Sequence, residues 1–118
     1  MLVTRALVTV VETAGFFASA AGLLSEEERA AVIEMLARDP ECGDVIPVTG
    51  GLRKVRVRLA GRGKSGGARA IYFFMNRDMP VIALMVCAKN RTARLTKAQE
   101  KELAAIASGI KKAKKEHT

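Results

Sequence analysis

The chain has 118 residues, 49% of them apolar and 27% charged, which excludes a disordered polyelectrolyte and suits one globular domain around a single core. Its net charge of +8 is uneven: residues 1–44 carry eight acids and three bases, residues 45–99 one acid (Asp78) and twelve bases, and residues 100–118 three acids and five bases. A chain basic chiefly in its middle fits one face that meets a polyanion better than it fits an evenly charged solubility shell.

Arg5, the apolar stretch Ala6 to Val11 and the small residues Ala18 to Ala21 imitate a secretory leader. Glu12 cuts that stretch short of the roughly 7–15 residues a leader core needs, so the segment is expected to be structure. No stretch reaches the roughly 18 apolar residues of a membrane span. A soluble, cytoplasmic protein with no membrane partner is therefore expected, and Cys42 and Cys87, which form no CxxC pair, fit a reducing compartment. Cys87 is expected to be a buried core thiol.

In chain order, the β-branched run Ala6–Val11 predicts a first strand. Thr13–Ala21 predicts a short helix with Phe16, Phe17, Ala20 and Leu24 on one side. A second helix is marked by the capping box Ser25/Glu28, by Glu26 and Glu27 at the positive end of its dipole, and by Pro40 beyond its end. Val32, Ile33, Leu36 and Ala37 form its apolar stripe. After the turn-rich segment from Pro40 to Gly51, Val55, Val57 and Leu59 alternate with Lys54, Arg56 and Arg58, so a strand there turns three apolar side chains one way and three cations the other. A glycine-rich turn, Gly61 to Gly67, leads to a strand over Ala68–Met75. The apolar run Val81–Ala88 predicts a central strand covered on both faces. Thr96 and Gln99 open a last helix carrying Leu103, Ile106, Ala107, Ile110 and Ala113, with lysines at its end.

The order β-α-α-β-β-β-α predicts one α+β domain over residues 1–118: a mainly antiparallel four-stranded sheet with helices on one face and cations on the other.

Seven cations and no acid lie between Arg53 and Arg69. Like charges at two-residue spacing repel and do not stabilise a sheet, so Lys54, Arg56 and Arg58 point to an anionic ligand. A ladder of salt bridges to acids of residues 1–44 is the alternative. Arg69 on the next strand and Lys89 at the end of the following one bring cations from three strands to one patch. In the turn, Arg62 and Lys64 supply charge where glycines let a backbone approach phosphate, although a solvated hairpin accounts for the same residues. Tyr72, the only tyrosine, suits stacking on a base or a place in the core. Gly63-Lys64-Ser65 is no P-loop, because Arg58 stands where the first glycine is required and a strand follows. The sole histidine, His117, lies far along the chain in the lysine-rich tail, and no carboxylate or Cys/His cluster accompanies the basic segment. Neither imidazole catalysis, a metal nor a cofactor is expected.

Glu41-Cys42-Gly43-Asp44-Val45-Ile46-Pro47, Gly50-Gly51-Leu52-Arg53-Lys54-Val55-Arg56, the block from Gly61 to Tyr72, and Ala88-Lys89-Asn90 together resemble the HigB-type branch of the RelE/ParE toxin superfamily. The resemblance spans about residues 4–112. It implies the toxin of a type II toxin–antitoxin pair, a ribonuclease that cuts messenger RNA in the ribosomal A site by attack of the 2′-hydroxyl on the adjacent phosphate. By position in those motifs, Lys54, Arg56, Arg69 and Lys89 are the implied catalytic residues. Arg53, Arg58, Arg62, Lys64 and Tyr72 are the candidate RNA-binding residues. The implied partners are the ribosome, mRNA and a cognate helix-turn-helix antitoxin, with promoter DNA reached only through the antitoxin. Asn90 after Lys89 and the lack of any tyrosine beyond Tyr72 depart from the RelE pattern and leave the acid–base roles open. The same fold hosts gyrase inhibitors, and a non-enzymatic nucleic-acid-binding module is a third reading.

Overall fold

Two helices lie on one face of a mixed sheet in the computed structural model, which describes residues 7–47, 50–59 and 67–88 and positions 97, 101, 105, 108 and 109. The described elements are β1 (Val10–Glu12), α1 (Ala14–Leu23), α2 (Glu26–Arg38), β2 (Asp44–Val45), β3 (Leu52–Val57), β4 (Ala68–Phe73) and β5 (Val81–Ala88). The sheet order is β1-β5-β4-β3-β2, with β1 parallel to β5 and every other pair antiparallel. The α+β class and the helices on one face agree with the expectation from sequence.

The sheet has five strands where four are predicted, because β2 interrupts the Pro40–Gly51 turn and pairs Asp44 with Lys54 and Val45 with Arg53. Two residues are too few to show a periodicity. The first strand is displaced from Ala6–Val11 to Val10–Glu12, where register with β5 begins. The preceding backbone already leans on β5, since the Val81 amide donates to the Thr9 carbonyl at 2.8 Å. The glycine-rich turn up to Gly66 and most of the last predicted helix lie outside the described residues. Lys97, Lys101, Ala105, Ser108 and Gly109 are helical and exposed.

Both helices begin as their sequences dictate. The Thr13 hydroxyl accepts from the Phe16 amide at 3.1 Å and donates to the Ala83 carbonyl at 2.9 Å, capping α1 and tying it to β5. Ser25 and Glu28 form the full capping box of α2. Phe16, Ala20, Leu24, Val32 and Leu36 then pack on Val57, Ala68, Ala70, Tyr72, Phe74, Val81, Ala83 and Val86 to make the main core. Phe17 departs from the expected stripe. It is 57% exposed, one helical position from Phe16, and its ring carries the Arg29 guanidinium 5.1 Å from its centroid.

The other face of the sheet has a second buried cluster, Leu52, Ile71, Phe73 and Leu84. The predicted charged face is therefore half apolar: Leu52 stands in alternation with Lys54 and Arg56. Gly51 admits this arrangement. Its φ of +138° favours glycine, and a Cβ there would lie 2.7 Å from the Phe73 ring. A register shift at Ile71/Tyr72 leaves Leu84 as an extra residue in β5. It reverses the alternation, so Val81, Ala83 and Val86 all reach the helices while Met85 and Cys87 fall on the cationic side.

Candidate nucleic-acid interface

Strand alternation carries Lys54 and Arg56 to the face away from α1 and α2, and the β3–β4 register brings Arg69 to them. Arg56 lies directly opposite Arg69, and Lys54 opposite Ile71, which makes Lys54 the diagonal neighbour of Arg69. Opposite residues on one face have Cβ atoms about 4.5–5.5 Å apart and diagonal ones about 7–8 Å, so the three side chains share one patch. Arg58, exposed just beyond β3, extends it.

Among the described residues one acid stands in register with these cations, the exposed Asp44 opposite Lys54, and no ion pair joins it to them. The acids that form ion pairs there are Glu12, with Arg29, and Glu34, with Arg38, both remote from the cations of β3 and β4. No acid of residues 7–44 forms an ion pair with Lys54, Arg56, Arg58 or Arg69, so the salt-bridge ladder is not formed by described residues. Arg69 is half-buried, and its Nε–H is fully enclosed with no acceptor among the described residues. An enclosed donor without an acceptor costs about 1–3 kcal/mol. An anionic oxygen on this face would relieve the mutual repulsion of the cations. Within the described residues no group of three His, Cys, Asp or Glu side chains could hold a metal ion.

Cys87 completes the row. It pairs with Arg69 in the β4–β5 register, and its thiol lies 3.8 Å from the Arg69 carbonyl. Rather than a fully buried core thiol it is half-buried at the margin of the patch; burial pushes its pKa up while Arg69 pulls it down. Alternation in an uninterrupted apolar run gives no sign of this position, because the extra residue Leu84 sets it.

Two of the predicted RNA-binding residues face the other way. Tyr72 is 0% exposed in the main core. Its hydroxyl donates to the Pro40 carbonyl at 2.8 Å and accepts from the Gly43 amide at 2.8 Å, with the Cys42 sulfur at 3.8 Å. Its ring offers no face to a base, which corrects the stacking expectation. Arg53, opposite Tyr72, shares the helix side of the sheet, and its guanidinium donates to the carbonyls of Gly43 at 2.8 Å and Glu41 at 3.3 Å. It holds a loop and lies apart from the cation patch. Arg62, Lys64 and Lys89 lie outside the described residues.

The fold is a small α+β domain that sets Lys54, Arg56 and Arg69 on one sheet face, without an ion pair to them among the described residues. A family model described as the RelE toxin of the RelE/RelB toxin–antitoxin system matches residues 24–118, from the end of α1 through the whole cationic face. The chain belongs to the RelE toxin family, whose members pair with a RelB antitoxin.

Proposed function

We propose that this chain is a ribosome-dependent endoribonuclease of the HigB-type branch, and that Lys54, Arg56 and Arg69 hold the scissile phosphate of messenger RNA in the ribosomal A site. The observation that carries the reading is the cross-strand row itself: cations opposite and diagonal to one another, with no ion pair to an acid among the described residues, on the face away from α1 and α2. In the reaction the 2′-hydroxyl oxygen attacks the adjacent phosphorus and gives up its proton, a P–O2′ bond forms to make a 2′,3′-cyclic phosphate, the P–O5′ bond breaks, and the leaving 5′-oxygen takes up a proton, so that one proton passes in net from the 2′- to the 5′-oxygen. Charge builds on the phosphoryl oxygens of the pentavalent transition state. Fixed guanidinium and ammonium groups stabilise that state more than the ground state.

By their positions in the family motifs, Lys89 serves as a further catalytic cation, and Arg58, Arg62 and Lys64 bind RNA. A patch so rich in cations repels divalent metal ions, which fits a metal-independent reaction. Orientation of the 2′-hydroxyl comes from the ribosome, since the chain offers no histidine near the basic segment to organise free RNA. The antitoxin is a helix-turn-helix protein that brings the complex to promoter DNA, and the toxin acts in the cytoplasm.

The test is induction of the wild-type chain and of Arg69→Ala in a host lacking the antitoxin, with mapping of new mRNA 5′ ends. Cuts confined to translated messages, and reduced at least 100-fold by Arg69→Ala, are expected. Growth arrest with intact mRNA would overturn the reading in favour of gyrase. Salt-sensitive RNA binding without cleavage would leave a binding module.

A further inference from the structure

We infer that Tyr72, with Gly43 and Arg53, is a positioning device for Lys54, acting from the opposite side of the sheet; the inference rests on the role proposed above for Lys54. β2 meets β3 over only two residue pairs, Asp44 with Lys54 and Val45 with Arg53. A ladder that short does not hold an edge by itself. The Pro40–Gly43 loop leading into it is instead pinned by four side-chain hydrogen bonds, two through the Tyr72 hydroxyl and two from the Arg53 guanidinium.

The pinned loop passes close to the backbone of Lys54. A Cβ added to Gly43 would lie 2.7 Å from the Lys54 carbonyl oxygen and 2.8 Å from the Tyr72 hydroxyl, so the glycine sits between the anchor and the residue it fixes. Beyond Lys54, β3 has register partners on β4 alone, and Arg56 belongs to that single-sided stretch. Tyr72 shares β4 with Arg69, so one buried side chain references both halves of the cation row to the same strand. Being fully buried, Tyr72 touches no RNA. It acts through Lys54 and is a positioning residue, not a catalytic one.

The experiment compares wild type, Tyr72→Phe, Gly43→Ala and Lys54→Ala on ribosomes programmed with a defined mRNA, reading single-turnover cleavage at saturating toxin and, separately, the half-saturating toxin concentration. Tyr72→Phe keeps the ring and Gly43→Ala changes no cation. Both are expected to lower the cleavage rate of the bound complex by about 10–100-fold, the range in which a displacement near 1 Å acts, with half-saturation changed less than threefold. Circular dichroism below the melting transition restricts the comparison to folded protein. Full cleavage rates in folded Tyr72→Phe and Gly43→Ala, with Lys54→Ala impaired, would overturn the positioning role and leave the nuclease reading standing. Should Lys54→Ala cut as fast as wild type, it is the assignment of Lys54 that fails. If Tyr72→Phe does not fold, Gly43→Ala decides.

Discussion

Tyr72 shows at the scale of one residue how burial and charge divide the work of this domain. Its hydroxyl is taken out of water, and desolvation raises its pKa well above the ordinary tyrosine value, with the hydrogen bond from Gly43 opposing the shift. A group whose folded-state pKa lies above its unfolded value near 10 contributes stability that is fully present below pH 10 and is lost as pH rises toward the folded value. The chain has one tyrosine and no tryptophan, so tyrosinate absorbance at 295 nm reports this residue alone. Tyr72 is expected to stay protonated through pH 10 and to ionise only together with loss of far-UV ellipticity. A smooth titration centred near pH 10 in folded protein would mean that the hydroxyl is open to solvent and the loop anchor is not formed.

Among the elements, α2 is the most legible, because capping box, acidic first turn, apolar stripe and the stop at Pro40 agree on one helix, observed as Glu26–Arg38. Replacing Ser25 with Ala removes the hydroxyl that accepts from the Glu28 amide at 3.1 Å and should cost about 1 kcal/mol, or roughly 4 °C in melting temperature. Since α2 lies across the sheet from the cations, cleavage per folded molecule should not change; a parallel loss of activity would tie α2 to the site. β5 was equally plain as an element, Val81–Ala88, yet its facing was not: the extra residue Leu84 decides which side chains join Arg69, and no local pattern announces it. β2, only two residues long, leaves no pattern in the sequence. Alternation alone assigns Lys54 and Arg56 to one face, whereas Arg53, one residue earlier, belongs to the other side. Charge is visible in a sequence, while the partner that consumes it depends on which loop folds back, here Pro40–Gly43.

For the molecule as a whole, the decisive property is that its charges are largely sorted by side, with Asp44, opposite Lys54, as an acid on the cationic face and Arg53 as a cation on the other. The exposed acids Glu26, Glu27 and Glu34 belong to α2, on one face of the sheet, and Lys54, Arg56 and Arg69 stand on the other. A polyanion is thus repelled from one side and drawn to the other, and the field orients the encounter before any contact forms. Binding to single-stranded RNA should then release counterions in proportion to the cations engaged, with log K falling by about 0.7 per phosphate contact for each unit of log salt. If Lys54, Arg56, Arg58 and Arg69 each meet a phosphate, the slope is expected to be about −3. Lys54→Ala should make it shallower by about 0.7. Arg38→Ala is the matched control: it removes the same charge from α2, where Arg38 is already paired with Glu34, and should leave the slope unchanged. Fluorescence anisotropy of a labelled RNA between 50 and 300 mM salt, about the range over which such contacts act, measures all three. Equal slopes for wild type and Lys54→Ala would place the RNA elsewhere on the surface, whereas a change in Lys54→Ala alone would identify the β3–β4 face as the one that carries it.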